Sequence, residues 1–180
     1  MLKTSNAWKF VAIATLVSVM ASPAHAQSGA VSSGTAVSSR STLPNDFGIE
    51  LLGRCLLYNF SYQRMVTSIL GIEAAASGLG SGSTTGEGSA SLLLGSLGGR
   101  LYFLPKRNAS PFVTGGMVLI NASTDSGPFG SDNATGDYGY TGLGFEFRSP
   151  AGFLFRGTAY GLVSEGGYFI WPGLTVGYAF

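Results

Sequence analysis

The chain has 180 residues, of which 28 are glycine; 45% are hydrophobic and only 11% are charged. That length fits one domain. Dense glycine without a Gly-X-Y period excludes collagen, and the 12% aromatic content excludes a wholly disordered chain. Mean hydropathy is +0.29, and no apolar run reaches the roughly 18 residues that a membrane-spanning helix needs. A small domain this poor in charge is badly suited to water on every side, so part of its surface is expected to avoid water.

Residues 1–26 read as a secretory signal peptide. Lys3 and Lys9 give a positive start, residues 10–21 (FVAIATLVSVMA) an apolar centre, and Ala24-His25-Ala26 a small-residue cleavage site. The apolar centre is too short for a comfortable transmembrane helix. No twin-arginine pair precedes it, which points to the general secretory route. No cysteine follows the cleavage site, so there is no sign of a lipid anchor. Cleavage removes Lys3, Lys9 and the only histidine, His25, and leaves a slight acidic excess. That balance gives no electrostatic basis for nucleic-acid binding. Cys55 is the only cysteine, so the fold does not rest on disulfides. Its expected role is a small apolar side chain, buried or lipid-facing.

Residues 27–45 are rich in Ser, Gly, Ala and Thr, contain no aromatic residue, and read as a flexible leader. Over 46–180 the texture changes. Aromatic, β-branched and leucine-rich segments alternate with Gly/Ser/Asn/Asp clusters, the pattern of strands joined by turns. Eight strands are expected, over 47–53, 56–66, 68–77, 90–104, 111–121, 137–148, 152–163 and 167–180. Short connections at Thr67, at 105–110 (PKRNAS) and at Ser149-Pro150-Ala151 alternate with longer ones at 78–89 and 122–136. The last long-side connection, 163–167, is shorter but polar and glycine-rich, and the first, around Arg54 and Cys55, is tight. This alternation describes up-and-down antiparallel strands with short turns at one end and loops at the other. It is the layout of a transmembrane β-barrel with periplasmic turns and extracellular loops.

Period-2 patterning assigns the faces. In the last segment Pro172, Leu174, Val176, Tyr178 and Phe180 oppose Trp171, Gly173, Thr175, Gly177 and Ala179. Leu143, Phe145 and Phe147 oppose Gly142, Gly144, Glu146 and Arg148, and Tyr58, Phe60 and Tyr62 oppose Asn59, Ser61 and Gln63. The segment 111–121 is apolar on both faces and does not orient itself. The charges are too few to wet an exterior. The second face is too small and polar for a soluble core. The expected fold is therefore inverted, with aromatics and leucines toward lipid and small or polar groups toward the lumen. In lipid such a sheet must close, and eight strands leave a bore just wide enough for side chains to fill.

With these features the chain resembles the small eight-stranded outer-membrane β-barrel proteins of Gram-negative bacteria, the OmpA/OmpX-like group. The resemblance spans roughly 47–180 and is sharpest in the last strand, where Leu174, Val176, Tyr178 and Phe180 set apolar residues at every second position up to a terminal aromatic. In that group this end is a C-terminal assembly signal read by the barrel-assembly machinery. The resemblance also implies the outer membrane as location, its lipid and lipopolysaccharide as surroundings, and a monomer. It implies no cofactor. The long, aromatic-rich mobile loops of some members are missing, so an adhesin or receptor role gains no support.

Glu50, Glu73, Arg100, Glu146, Arg148 and Arg156 fall on the lumen face. Isolated charges in a narrow bore would each cost several kcal/mol, so they are expected to pair in an ion-pair network that closes the barrel to free solute flow. Catalysis is not expected, because without histidine the mature chain lacks the usual general base; no catalytic, cofactor or metal site is read. Tyr58, Tyr62, Tyr102, Phe103, Phe147, Phe153, Tyr168, Phe169, Trp171, Tyr178 and Phe180 are candidates for the two interfacial aromatic girdles. The reading is an all-β, outer-membrane barrel with a structural or surface-interaction role. The alternatives are a small pore for ions or solutes and a soluble, exported lipocalin-like barrel. Deletion of Phe180 is expected to impair assembly, seen as loss of heat-modifiable migration in detergent gels; normal insertion without it would remove the assembly signal.

Overall fold

Strict alternation of apolar and small or polar residues makes strands here, and glycine- or proline-bearing clusters end them. A computed structural model describes residues 39–82, 89–125, 131–164 and 167–180. The signal peptide, most of the leader and the centres of the three longer loops lie outside the described residues. The strands are β1 (Asn45–Leu52), β2 (Tyr58–Met65), β3 (Leu70–Gly82), β4 (Ser89–Tyr102), β5 (Ala109–Asp125), β6 (Ser131–Arg148), β7 (Phe153–Ser164) and β8 (Gly167–Ala179). They pair in sequence order as a closed antiparallel barrel. The seam runs from Asp46 opposite Ala179 to Leu52 opposite Gly173. At its end Asn45 and Phe180 exchange backbone hydrogen bonds of 3.0 and 2.8 Å. Along this seam the ladder is closed, as a membrane barrel requires; beyond it, residues 167–172 of β8 and 77–82 of β3 run past the loop-side ends of β1 and β2.

All eight expected strands are present, and the boundaries move most at the loop end. β3, β5 and β6 reach past the expected 77 and 121 and start before 137, so much of what reads as loop in 78–89 and 122–136 is ladder. The pairing of Ala122 with Ala134 and Ser123 with Asn133 continues the β5–β6 hairpin beyond its apolar part. Polar residues disguise this extension, because a strand standing in water needs no apolar face. At the other boundary, the stretch read as leader contributes to the barrel. Ser39–Thr42 form one helical turn, α1, and Asn45 opens β1.

The faces follow the inverted pattern. Leu143 is 67% exposed, while Glu146 on the opposite face of the same strand is 0% exposed. Phe47, Ile49, Phe60, Ile72, Leu97, Phe145, Phe155, Ile170, Leu174 and Val176 all point outward around the wall. A soluble lipocalin-like barrel would need the reverse. β5 now orients: Phe112, Thr114 and Val118 point inward, and Leu119 outward. Two girdle assignments change. Trp171 shares the inward parity of Gly173 and Thr175 on β8 and packs against the bore's apolar cluster. Tyr102 is buried in the bore, because it shares the inward parity of Arg100 on β4. No helix among the described residues is long and apolar enough to cross a membrane; the apolar wall of strands takes that part.

Ala159 sits outward on β7 with Leu143 and Pro172 beside it, away from both ends of its strand, whereas Phe153 begins the strand at the Ser149–Gly152 turn. Ala159→Arg is therefore expected to cost about 2–4 kcal/mol and Phe153→Arg about 0–1 kcal/mol, read from denaturant unfolding in lipid vesicles. Equal costs would argue against this placement of the bilayer.

Candidate functional site: a charged and plugged lumen

Among the described residues, five arginines (Arg40, Arg54, Arg100, Arg148 and Arg156) and four carboxylates (Asp46, Glu50, Glu73 and Glu146) are buried inside the barrel. Their arrangement follows from strand parity. Even residues of β1, β4, β6 and β7 point inward, as do odd residues of β2 and β3.

Toward the short-turn end, Glu146 gathers side chains from four segments. Arg156 Nε donates to its Oε2 at 2.5 Å and Arg40 Nε to its Oε1 at 2.9 Å. Arg148 Nε lies 3.3 Å from Oε1, and the Tyr102 hydroxyl donates to Oε2 at 2.5 Å. Asp46 Oδ2 accepts from Arg148 Nη2 at 2.5 Å and from Arg156 Nη2 at 2.7 Å. Arg40 enters from α1. Its guanidinium lies 4.6 Å from the centre of the Tyr102 ring and also donates to the carbonyls of Arg107 and Asn108. The Ser39 hydroxyl donates to the Arg148 carbonyl at 3.0 Å. α1 thus stops the short-turn mouth.

In the middle, Arg100 donates to Gln63 Oε1 at 2.5 Å and to Glu73 Oε2 at 2.8 Å, and Thr114 donates to Glu73 Oε1 at 3.2 Å. Gln63 donates from Nε2 to the Tyr102 hydroxyl at 3.0 Å, which joins this layer to the Glu146 cluster. Toward the loop end, Glu50 accepts from Asn59 at 2.7 Å and from Tyr160 at 2.6 Å. Arg54 pairs with Glu73 and lies 3.6 Å from Glu50. Above it Cys55, Leu94, Val118, Tyr138, Tyr140, Tyr160 and Leu162 form an apolar stopper. Cys55 is buried in that cluster as a packing group.

The large inward side chains need space, and glycine supplies it. A Cβ on Gly98 or Gly116 would strike the Tyr140 hydroxyl, and one on Gly144 would strike the Phe112 ring. Glycine on one strand thus makes room for an aromatic ring one or two strands away, and the bore is filled rather than open.

Arg54 and Cys55 sit on the 3-10 turn Gly53–Cys55 between β1 and β2. This turn folds inward, and its backbone is strained. Leu52 has φ 59° and Leu56 φ 73°, a region that costs a non-glycine residue about 1–3 kcal/mol. Leu57 N–H bonds the Cys55 carbonyl at 3.0 Å across Leu56, whose φ 73° and ψ −58° make the rare, strained hand of γ-turn. Gly53 is also left-handed, and a Cβ there would meet the Glu50 carboxyl at 2.5 Å.

All six residues read as lumen charges, Glu50, Glu73, Arg100, Glu146, Arg148 and Arg156, lie inside the bore within this network. Sequence reasoning missed Asp46, Arg40 and Arg54. Asp46 carries a usable signal, since it shares inward parity with Glu50 once β1 starts at Asn45. Arg40 is the one charge in a leader of small residues, and Arg54 lies in a turn with no periodicity.

An apolar exterior, a closed eight-stranded wall and a polar, filled bore define a transmembrane β-barrel of the outer-membrane type. No protein-family profile matches the sequence, and no curated protein matches it in sequence. Among solved structures, the N-terminal β-barrel domain of Pseudomonas aeruginosa OprF is similar, with a TM-score of 0.54 at 16% identity over 76% of this chain and 95% of that one. Ail, the attachment invasion locus protein of Yersinia pestis, in complex with the heparin analogue sucrose octasulfate, gives 0.49 at 15% identity over 76% and 94%. Acinetobacter baumannii CarO gives 0.44 at 8% identity over 77% and 97%. The OprF domain shows the shared fold.

Glu146→Ala would remove the carboxylate that Arg40, Arg148 and Arg156 share. It is expected to destabilise the barrel by about 3–5 kcal/mol, measured by urea unfolding in detergent micelles, while Arg64→Ala, on the exposed face of β2, leaves the midpoint unchanged.

Proposed function

We propose that the protein is an integral outer-membrane barrel with a structural or surface-interaction role, and that its lumen is closed to solutes. The observation that carries this reading is the cross-bore network. Carboxylates and guanidiniums from β1, β3, β4, β6 and β7 meet inside the barrel, with Arg40 and Arg54 entering from its two ends. A solute would have to part several buried ion pairs at once. Removing one partner from such a pair costs several kcal/mol, so thermal opening of the whole bore is rare.

In this reading the short-turn end faces the periplasm and the loop end faces outward. The apolar wall meets outer-membrane lipid and lipopolysaccharide. The barrel works as a monomer, and Leu174, Val176, Tyr178 and Phe180, three of which sit on the outward face of β8 with Phe180 closing the seam, serve the barrel-assembly machinery. Purified, refolded protein in planar bilayers is expected to give no stable large conductance. Long-lived large openings would favour the small pore instead.

A further inference from the structure

We propose that the β1–β2 connection is a strained latch that closes the loop end of the bore, held shut by Arg54 and poised to spring outward when that hold is lost. The inference rests on the reading of a closed membrane barrel and adds a moving part to it. Three observations carry it. The connection is wound against its own backbone preference at Leu52 and Leu56, both bulky residues with positive φ. It is tied down through Arg54 to Glu73, Glu50 and the Tyr140 hydroxyl, through the Tyr138 hydroxyl to the Arg54 carbonyl, through Trp171 Nε1 to the Leu56 carbonyl at 3.2 Å, and by Cys55 in the apolar cluster. Finally, its three leucines do not anchor it in the bore, for Leu52, Leu56 and Leu57 are all exposed, and Cys55 is the one apolar side chain of the turn buried there.

The strain and the tethers therefore oppose each other. Backbone relaxation favours release, and the guanidinium between two carboxylates favours closure. Strain of this kind persists only where surrounding contacts over-determine it. Release would lift Gly53–Cys55 from the mouth and uncover Cys55, which is 2% exposed in the closed form. Arg100 would remain on Glu73, and Asn59 and Tyr160 on Glu50, so the barrel wall and the deeper charge layers need not come apart.

Cys55 is the only cysteine in the chain and serves as the reporter. The full protein, refolded into lipid vesicles, is treated with a membrane-impermeant maleimide, and the labelling rate is followed by gel shift. The wild type is expected to label slowly. Arg54→Gln is expected to label at least about tenfold faster, because local opening sets the rate and the charge that opposes it is gone. Leu56→Gly, which removes the side chain that makes its backbone costly, is expected to label more slowly than wild type. Wild-type labelling in a folded Arg54→Gln barrel would overturn the latch. Labelling of Leu56→Gly at or above the wild-type rate would overturn the stored strain. If Arg54→Gln fails to fold, Tyr138→Phe removes a tether with the lumen charges intact and is expected to raise the rate; an unchanged rate counts against the latch. Heat-modifiable migration, scored in parallel, reports on the barrel itself, so failure of the barrel reading is seen separately.

Discussion

A backbone crossing lipid must bond to itself, and the rest of this molecule follows from how it meets that requirement. β1 pairs with β8 and completes the ring of ladders. Closure with eight strands fixes a narrow bore. Alternate side chains must then either enter that bore or enter lipid. Those entering lipid are leucines, isoleucines and phenylalanines. Those entering the bore have little room, so Gly98, Gly116 and Gly144 give way to Tyr140 and Phe112.

The same narrowness explains the chemistry of the interior. A charge on an inward position cannot reach bulk water, so it must find a partner across the bore. Glu146 on β6 finds Arg156 on β7 and Arg40 before β1; Glu73 on β3 finds Arg100 on β4 and Arg54 after β1. Glu146 and Arg156 are register neighbours on one hairpin, whereas Arg40 reaches Glu146 from 106 residues away, and the two end plugs are anchored by the same carboxylates that organise the wall. Gln63 and Tyr102 link the layers, so the interior is one connected system rather than separate bridges.

What could be read in advance depended on periodicity. Membrane strands carry a period of two because lipid and lumen impose opposite demands on neighbouring residues, so Glu146, Arg148 and Arg156 could be placed in the bore from their parity alone. Where that contrast fades, so does legibility. β5 carries apolar residues on both faces, because Phe112 and Val118 fill the bore while Leu119 meets the exterior. The loop-end extensions of β5 and β6 stand clear of the apolar wall and so carry no apolar stripe. Tyr102 passed for a girdle residue because tyrosine suits a wet interface and a buried hydroxyl partner equally well.

The sequence by itself determined the architecture: eight strands, the inverted faces, and a bore that must hold paired charges. These are properties of local alternation and composition, which a chain displays without folding. Only the tertiary structure decided which charges pair, that α1 and the Gly53–Cys55 turn stop the two mouths, and that Leu52 and Leu56 hold a strained backbone. The reason is that cross-bore partners are far apart in the chain. Arg40 and Glu146 lie 106 residues apart, and no local pattern records that distance. Ring closure brings them together, and the surplus of interaction available there holds a turn in a conformation its own residues disfavour.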